Sequence, residues 1–338
     1  MTPDEIKLLC GEGTFERIPV EGELLETHIS WIVLSKEYAF KIKKPVKFSF
    51  LDFSDKTQRK IYCEKEVLLN SRFSNIYLGT EPVFLKDGKW TIGGIGPEPI
   101  DFAVVMKKMD GHKRMDHLVE SGEVSDFMVV ELAKHIALFH RKAGRIARPF
   151  DLENAKMLFN DILNVGEQLD KKCTVDRLKR SLQNAVPISD VFLEKNQKYF
   201  QRRIELGFKR DLHGDLHCEN VFLEIPPVIF DCIEFNDEYR QIDVLYDIAF
   251  MSMDLESWGR RDLSQLLDTA YKEHLHVNFS SDDDRIYLYF KCLRANIRAK
   301  TYALRIIHSG TETTKAQNFK AFKRYFSLFE HYVGLIEI

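Results

Sequence analysis

Asp211-Leu212-His213-Gly214-Asp215-Leu216-His217-Cys218-Glu219-Asn220 is the stretch on which the reading of the whole chain turns. It is too polar and too interrupted by Gly214 to be a core element, so it reads as a loop. Eleven residues after Asn220 stands Asp231, inside the β-rich run Val228-Ile229-Phe230-Asp231-Cys232-Ile233-Glu234-Phe235. A loop bearing Asp215 and Asn220 is thus followed by a strand end bearing Asp231, and the three supply oxygen donors from a short length of chain.

The segments on either side differ in character. Upstream, Ile29–Leu34 and Tyr38–Ile42 flank the polar break Ser35-Lys36-Glu37 and predict a hairpin. Pro82–Leu85 and Trp90–Ile92 flank Asp87-Gly88, a strong hairpin turn. Phe102–Met106 is a further buried-strand candidate. One helix is expected from about Ser54 to Phe73, capped by Ser54 or Asp55. After about residue 110 the patterns are mostly helical. A helix is expected over 127–142, where Met128, Leu132, Ile136 and Phe139, continued by Ala143, fall at three- and four-residue spacing, with Gly144 as a stop. Helical patterns continue through 153–168, 190–205 and 241–338, with Asp282-Asp283-Asp284 as a helix start, and a strand-rich patch spans 211–235. The expected architecture is α+β. A small β-rich lobe with one helix covers 1–108, and a larger helical lobe carrying the loop and the substrate pocket covers 109–338.

Composition removes whole classes of function. The chain has 338 residues, 44% hydrophobic and 30% charged, with a formal net charge of −3. Such a chain can bury a large core and carries no basic excess, which argues against nucleic acid or anionic lipid as the main partner. No apolar run approaches the roughly 20 residues that a membrane span needs. Met1-Thr2-Pro3-Asp4-Glu5 lacks the basic flank and apolar run of a signal peptide. The six cysteines, Cys10, Cys63, Cys173, Cys218, Cys232 and Cys292, form no CxxC pair and read as reduced thiols of a cytoplasmic protein. Oligomeric state is not legible.

The chemistry that needs Asp, Asn and Asp in this order is phosphoryl transfer. It requires a carboxylate to orient and deprotonate the attacking hydroxyl, oxygen ligands for Mg²⁺ on the phosphates, and a cation on those phosphates. Mg²⁺ accepts a few protein oxygens and completes its shell with phosphates and water. The spacing H-x-D-x4-N followed by a strand-borne Asp is that of a kinase catalytic loop. A competing reading, a polar loop with two capping carboxylates, leaves the features of the β-rich lobe unexplained. Zinc at His213, His217, Cys218 and Cys232 fits no common ligand spacing. On the strand, alternation puts Lys41 and Lys43 on one face, opposite Phe40, Ile42 and Lys44, so either of the two is a candidate cation for the phosphates, or else Lys41 is one more surface lysine beside Lys36, Lys44 and Lys47. Glu66 shares a helix face with Tyr62, Leu69 and Phe73, so it points inward and is a candidate partner for a buried lysine, with Glu64 the alternative.

His213-Gly214-Asp215-Leu216-His217-x-x-Asn220 resembles the HGDLHxxN signature of the aminoglycoside phosphotransferase-like family of the protein-kinase-like superfamily. Glu26–Trp31, Phe40–Val46, Phe235-Asn236-Asp237 and Asp247–Phe250 extend the likeness, over nearly the whole chain, to an uncharacterised bacterial branch. Some relatives in that branch add a P-loop kinase domain, but no GxxxxGK[ST] occurs in this sequence. The resemblance implies a two-lobed protein-kinase-like fold that binds ATP and Mg²⁺ and phosphorylates a hydroxyl of a small-molecule acceptor. It implies Asp215 as catalytic base, Asn220 and Asp231 as Mg²⁺ ligands, Lys41 on the α and β phosphates, and Glu66 as its partner. Asp247 would brace the catalytic loop, as would His213 and His217, while His135 and His140 read as satisfied interior or boundary residues.

The sequence departs from protein kinases in two places. Cys232-Ile233 stands where Phe-Gly would follow the metal aspartate, and no glycine-rich loop precedes Lys41. Thr27 and Ser30 are the candidates to donate to the phosphates instead, or else an ordinary loop entering a strand. Gly93-Gly94-Ile95-Gly96 reads as a turn. The segment Ala103–Met109 would offer its backbone to adenine and Met106 would pack on the base, or Met106 is plain core. Arg294 and Arg298 share a helix face near Lys300 and read as a solvated basic face or an anion site. Glu234, Asn236, Asp237, Arg240 and Asp243 are candidates to line the acceptor pocket. A non-catalytic nucleotide-binding scaffold is the first alternative, motivated by the missing glycine loop. A kinase acting on a protein side chain is the second, disfavoured by the fifteen residues between Asp231 and Asp247.

Overall fold

A computed structural model describes residues 1–48, 51–165, 176–308 and 310–336. Cys173 and the last residues of the helix expected over 153–168 lie outside them. The chain divides into two compact units. One is Met1–Arg114 with Asn220–Glu224 and Val228–Arg240; the other is Met115–Glu219 with Ile225–Pro227 and Gln241–Ile338. A single cut at 108/109 therefore does not describe the chain. The returning segments join the first unit because Val228 packs with Ala39, Tyr77 and Val104, and Leu223 N–H donates to the Lys113 carbonyl.

The first unit is built on an eight-stranded sheet. Its strand order is Ile18–Pro19, Thr14–Phe15, Lys89–Ile92, Tyr77–Lys86, Asp101–Lys107, Tyr38–Lys43, Ser30–Leu34 and Glu23–Glu26. All neighbours are antiparallel except Thr14–Phe15 with Lys89–Ile92. Both expected hairpins form. At the second, Asp87 and Gly88 sit at φ 51° and 75°, the left-handed pair that a two-residue turn needs. Gly93 and Gly94 also have positive φ, as a turn requires.

Tyr38–Lys43 lies inside the sheet, with Lys41 paired to Ile32 on one side and Val104 on the other. Alternation sends Phe40 and Ile42 into a core with Trp31, Val33, Val83 and Val105. It sends Ala39 to the opposite face with Cys63 and Met106. The helix is Lys56–Asn70, shorter at both ends than expected, and Asp55 caps it by accepting from Thr57 and Gln58 N–H. Its buried stripe runs Arg59, Cys63, Glu66, Leu69 and Asn70, so Glu66 faces the sheet.

The second unit is helical: Met115–Ser121, Asp126–Lys142, Leu152–Asn160, Asp176–Glu205, Val244–Ser257, Arg261–Leu275, Ser281–Ile307 and Glu312–Ile336. The pattern over 190–205 is only the second half of Asp176–Glu205, which continues through Pro187. Proline removes a backbone donor and reads as a helix breaker, which is why the first half is not legible. Ser280, two residues before the triplet Asp282-Asp283-Asp284, caps Ser281–Ile307. Val244–Ser257 is buried on nearly every side, so it sits among the other helices rather than at the surface. Two short strands, Lys209–Asp211 and Gln241–Asp243, pair antiparallel and frame the loop that begins at Leu212. Among the described residues no helix is long and apolar enough to cross a membrane.

Candidate active site

In the first unit Lys41, Glu66 and Asp231 come together. Lys41 Nζ donates to Glu66 Oε1 at 2.7 Å and to Asp231 Oδ1 at 2.6 Å. Lys41 and Glu66 are buried, at 8% and 0% exposure, while the Asp231 side chain is 44% exposed. Burial opposes the Lys41 charge, but Asp231 and then Glu66 outweigh it and hold the ammonium well above its ordinary range. Burial likewise opposes the Glu66 carboxylate, yet Lys41 and Lys43 keep it ionised and below the usual range. Glu64 is exposed and, among the described residues, pairs with Lys60 on its own helix rather than with Lys41, so the alternative partner for Lys41 falls away.

Lys43 is as deeply placed as its neighbour. Its Nζ donates to Glu66 Oε2 at 2.7 Å and also to Glu234 Oε1. Two ammoniums are thus interleaved with three carboxylates.

Asp231 is held by its backbone. Its N–H donates to the Tyr77 hydroxyl at 3.0 Å, and the next N–H, of Cys232, donates to Asn70 Oδ1 at 2.9 Å. Its φ is 62°, a left-handed conformation that aspartate tolerates better than most residues and that re-aims the carboxylate at the strand end. Asn220 is buried at 6%, and its carbonyl accepts from Phe230 N–H at 3.1 Å, which seats it beside the strand leading to Asp231. Tyr77 and Asn70 were not legible in the sequence. Asn70 lies seven residues from Cys63 and four from Glu66, on the same helix face, and that spacing was the available signal.

In the second unit the loop 212–219 is tied down from several helices. Asp247 accepts from His213 N–H at 3.2 Å, Gly214 N–H at 3.0 Å and His140 Nε2 at 3.1 Å. His140 Nδ1 lies 2.7 Å from the Tyr271 hydroxyl, so an Nε2–H tautomer satisfies both ring nitrogens. Asp254 accepts from Cys218 N–H at 2.9 Å. His213 and His217 brace the loop from within: their Nδ1 atoms accept from Asp215 N–H at 3.2 Å and Glu219 N–H at 3.3 Å. The Asp215 side chain stays 40% exposed, with Oδ2 3.3 Å from His217 Nε2. Burial works against its charge, but His217, Arg298 and His213 outweigh that and hold the carboxyl well below its ordinary range.

Several expectations are corrected. Arg294 and Arg298 are each 5% exposed and form neither a solvated face nor an anion site. Arg294 Nη2 donates to the Gly214 carbonyl at 2.9 Å and its guanidinium lies 3.8 Å from the Tyr246 ring. Arg298 donates to Glu219 at 3.0 Å, and Lys300 to Asp161 at 2.6 Å. Burying the helix face that carries the two arginines forces each to find an internal partner. The candidate acceptor-lining residues are mostly engaged in structure. Glu234 is taken by Lys43, Asn236 accepts from Glu238 N–H in a short turn, Arg240 donates to Ile233 and Asp237, and Asp243 caps Val244–Ser257 while pairing with Arg203. Thr27 Oγ1 accepts from Ser30 N–H at 2.9 Å and donates to the Ser30 carbonyl at 3.1 Å, so its hydroxyl closes the hairpin. Ser30 is fully buried opposite Lys43, and its Oγ has no hydrogen-bond partner among the described residues. Met106 is 8% exposed within the core that holds Cys63 and Tyr77. Among the described residues, Cys10, Cys63, Cys218, Cys232 and Cys292 take part in no disulfide.

Glu219 yields a prediction of its own. Burial raises its carboxyl, but Arg298, His217 and the Tyr302 hydroxyl at 3.1 Å bring it down to about 2 from 4.5. A folded-state value below the unfolded one contributes stability above pH ~4.5, which is lost as pH falls toward about 2. Glu219→Gln should therefore cost roughly 2 kcal/mol at neutral pH, reduced by the group's partial exposure, and flatten the acid limb of Tm against pH. An unchanged acid limb would remove the ion pair from the stability account.

No protein-family profile matches the chain. In sequence it is 32% identical over 312 residues to uncharacterized proteins of Mycobacterium bovis and Mycobacterium tuberculosis, a match covering 89% of this chain. The chain spans 59% of the length of these curated relatives. Among solved structures it is similar to a choline/ethanolamine kinase family protein from Mesorhizobium loti, with TM-score 0.52 and 12% identity, covering 100% of this chain and 99% of that one. It is also similar to a choline kinase from Cryptosporidium parvum, with TM-score 0.50 and 13% identity, covering 93% and 88%. At such identities the likeness speaks for the fold. The chain has the protein-kinase-like fold of these structures, with a β-sheet N-terminal lobe and a helical C-terminal lobe, and is related in sequence to the uncharacterized mycobacterial proteins.

Proposed function

We propose that this chain is a phosphotransferase that uses ATP and Mg²⁺ to phosphorylate a hydroxyl of a small-molecule acceptor. The single observation that carries the reading is the double engagement of Lys41 by Glu66 and Asp231. An ammonium has three protons. Glu66 and Asp231 accept two of them, and the third is left for an added oxygen such as that of a nucleotide phosphate. Burial of Lys41 makes its charge count for more there than it would in water.

Asn220 and Asp231 suit Mg²⁺. Both offer hard oxygens, and Asp231 is accessible. Bound there, Mg²⁺ supplies neutralisation of the phosphate charge.

Asp215 takes the role of orienting the acceptor hydroxyl. A carboxyl held so low is a weak base, so it accepts the proton as the new P–O bond forms rather than before. A loose phosphoryl-transfer transition state demands positioning and charge compensation more than early deprotonation.

The test is ADP release from Mg·ATP with and without pooled metabolites and aminoglycosides, with Asp215→Asn as control. Acceptor-dependent release that needs Asp215 is the expected result. A wild-type chain that neither binds nor turns over ATP against any pool would overturn the proposal.

A further inference from the structure

We propose that Lys43 and Glu234 form a second, sealed rung that positions Lys41 and Asp231 for the nucleotide phosphates. This inference rests on the kinase reading above. Lys41 and Lys43 lie two apart on one strand and share a face, while Asp231 and Glu234 lie three apart on one segment. Lys41 takes Asp231, Lys43 takes Glu234, and Glu66 stands between the two lysines with one oxygen to each.

The two rungs differ in access. Lys43 has 0% exposure and Glu234 3%, and the Phe53 ring lies 5.0 Å from Lys43 Nζ. No ligand reaches that ammonium, so Lys43 is a positioning residue and not a phosphate contact. It occupies Glu66 Oε2, which leaves Lys41 only Oε1 and keeps its remaining protons for Asp231 and an incoming phosphate oxygen. Through Glu234 the same ammonium anchors the segment that presents Asp231. Hydrophobic packing alone could seat that segment; a buried ion pair that shares a carboxylate with Lys41 instead fixes where the Lys41 ammonium sits.

Two ammoniums face three carboxylates. Lys43→Met keeps most of the stem volume but leaves Glu66 and Glu234 buried with Lys41 alone. Glu234→Gln added to it restores the balance of Lys41, Glu66 and Asp231. The four proteins of this cycle are compared for Tm and for affinity toward a fluorescent ATP analogue with Mg²⁺. Lys43→Met is expected to weaken binding about tenfold or more. The double variant is expected to recover most of the lost Tm, because stranding one buried partner costs more than removing both, but to stay about fivefold or more weaker than wild type in affinity, because nothing then occupies Glu66 Oε2 or anchors the Asp231 segment. A double variant that binds the analogue as tightly as wild type overturns the proposal, since Lys41 and Asp231 are then positioned without the rung. So does a Lys43→Met variant that loses Tm and keeps full affinity, since that is a purely structural role. If Lys43→Met does not fold, a folded double variant with affinity about fivefold or more below wild type supports the rung, and one with wild-type affinity, or one that also fails to fold, overturns it. A wild-type chain that does not bind the analogue takes down the kinase reading, and the charge coupling is then judged on Tm alone.

Discussion

Asp215→Asn should lower acceptor-dependent ADP release about 10²- to 10⁴-fold, the range that a positioned acid–base group contributes. The substitution is nearly isosteric. It removes the anionic oxygen 3.3 Å from His217 Nε2 and leaves the Asp215 N–H bond to His213 in place. Lys41, Glu66 and Asp231 are untouched, so Mg·ATP affinity should stay within about threefold. The loss should fall on kcat rather than on KM for ATP. Retained wild-type turnover would remove Asp215 from the mechanism. A matching loss of nucleotide affinity would mean that the residue acts through the loop's structure.

Asp247→Ala should produce the largest loss of stability. The carboxylate is fully buried and takes His213 N–H, Gly214 N–H and His140 Nε2–H. Alanine strands all three donors in a place water does not reach. Each buried unsatisfied donor costs about 1–3 kcal/mol, and relaxation keeps the sum at roughly 3–5 kcal/mol. Asp247→Asn keeps the shape and one acceptor oxygen and should cost less than Asp247→Ala. Turnover should fall in both variants, because His213 and Gly214 immediately precede Asp215. Denaturant unfolding checks the order. An Asp247→Ala midpoint equal to wild type would show that the loop is held by Arg294 and Asp254 without it.

Much of this was legible from local rules. The Asp87-Gly88 hairpin, the Asp55 cap and the alternation of Lys41 and Lys43 against Phe40 and Ile42 depend on neighbours within a few residues. The pairing of Lys41 with Glu66 was legible too, because a lone acid on an apolar helix stripe has to meet a cation when buried. The bracing role of Asp247 followed from the resemblance, and its three donors account for it physically.

Other features needed the folded chain. That Lys43 shares Glu66 with Lys41, that Glu234 closes the second rung, and that Tyr77 and Asn70 hold the Asp231 backbone are contacts between residues 23 to 191 positions apart. Thr27, Arg294 and Arg298 carry groups that can serve a ligand or the fold equally well, and only their partners decide: a hairpin turn for the first, Gly214 and Glu219 for the others. The sequence by itself determined the element types, the faces of strand and helix, and the order of Asp215, Asn220 and Asp231, since periodicity and capping act over a few residues. Which polar groups are left to meet a ligand was decided by the tertiary structure alone, because burial charges every polar atom for its lost water and assigns it a partner from wherever in the chain one arrives.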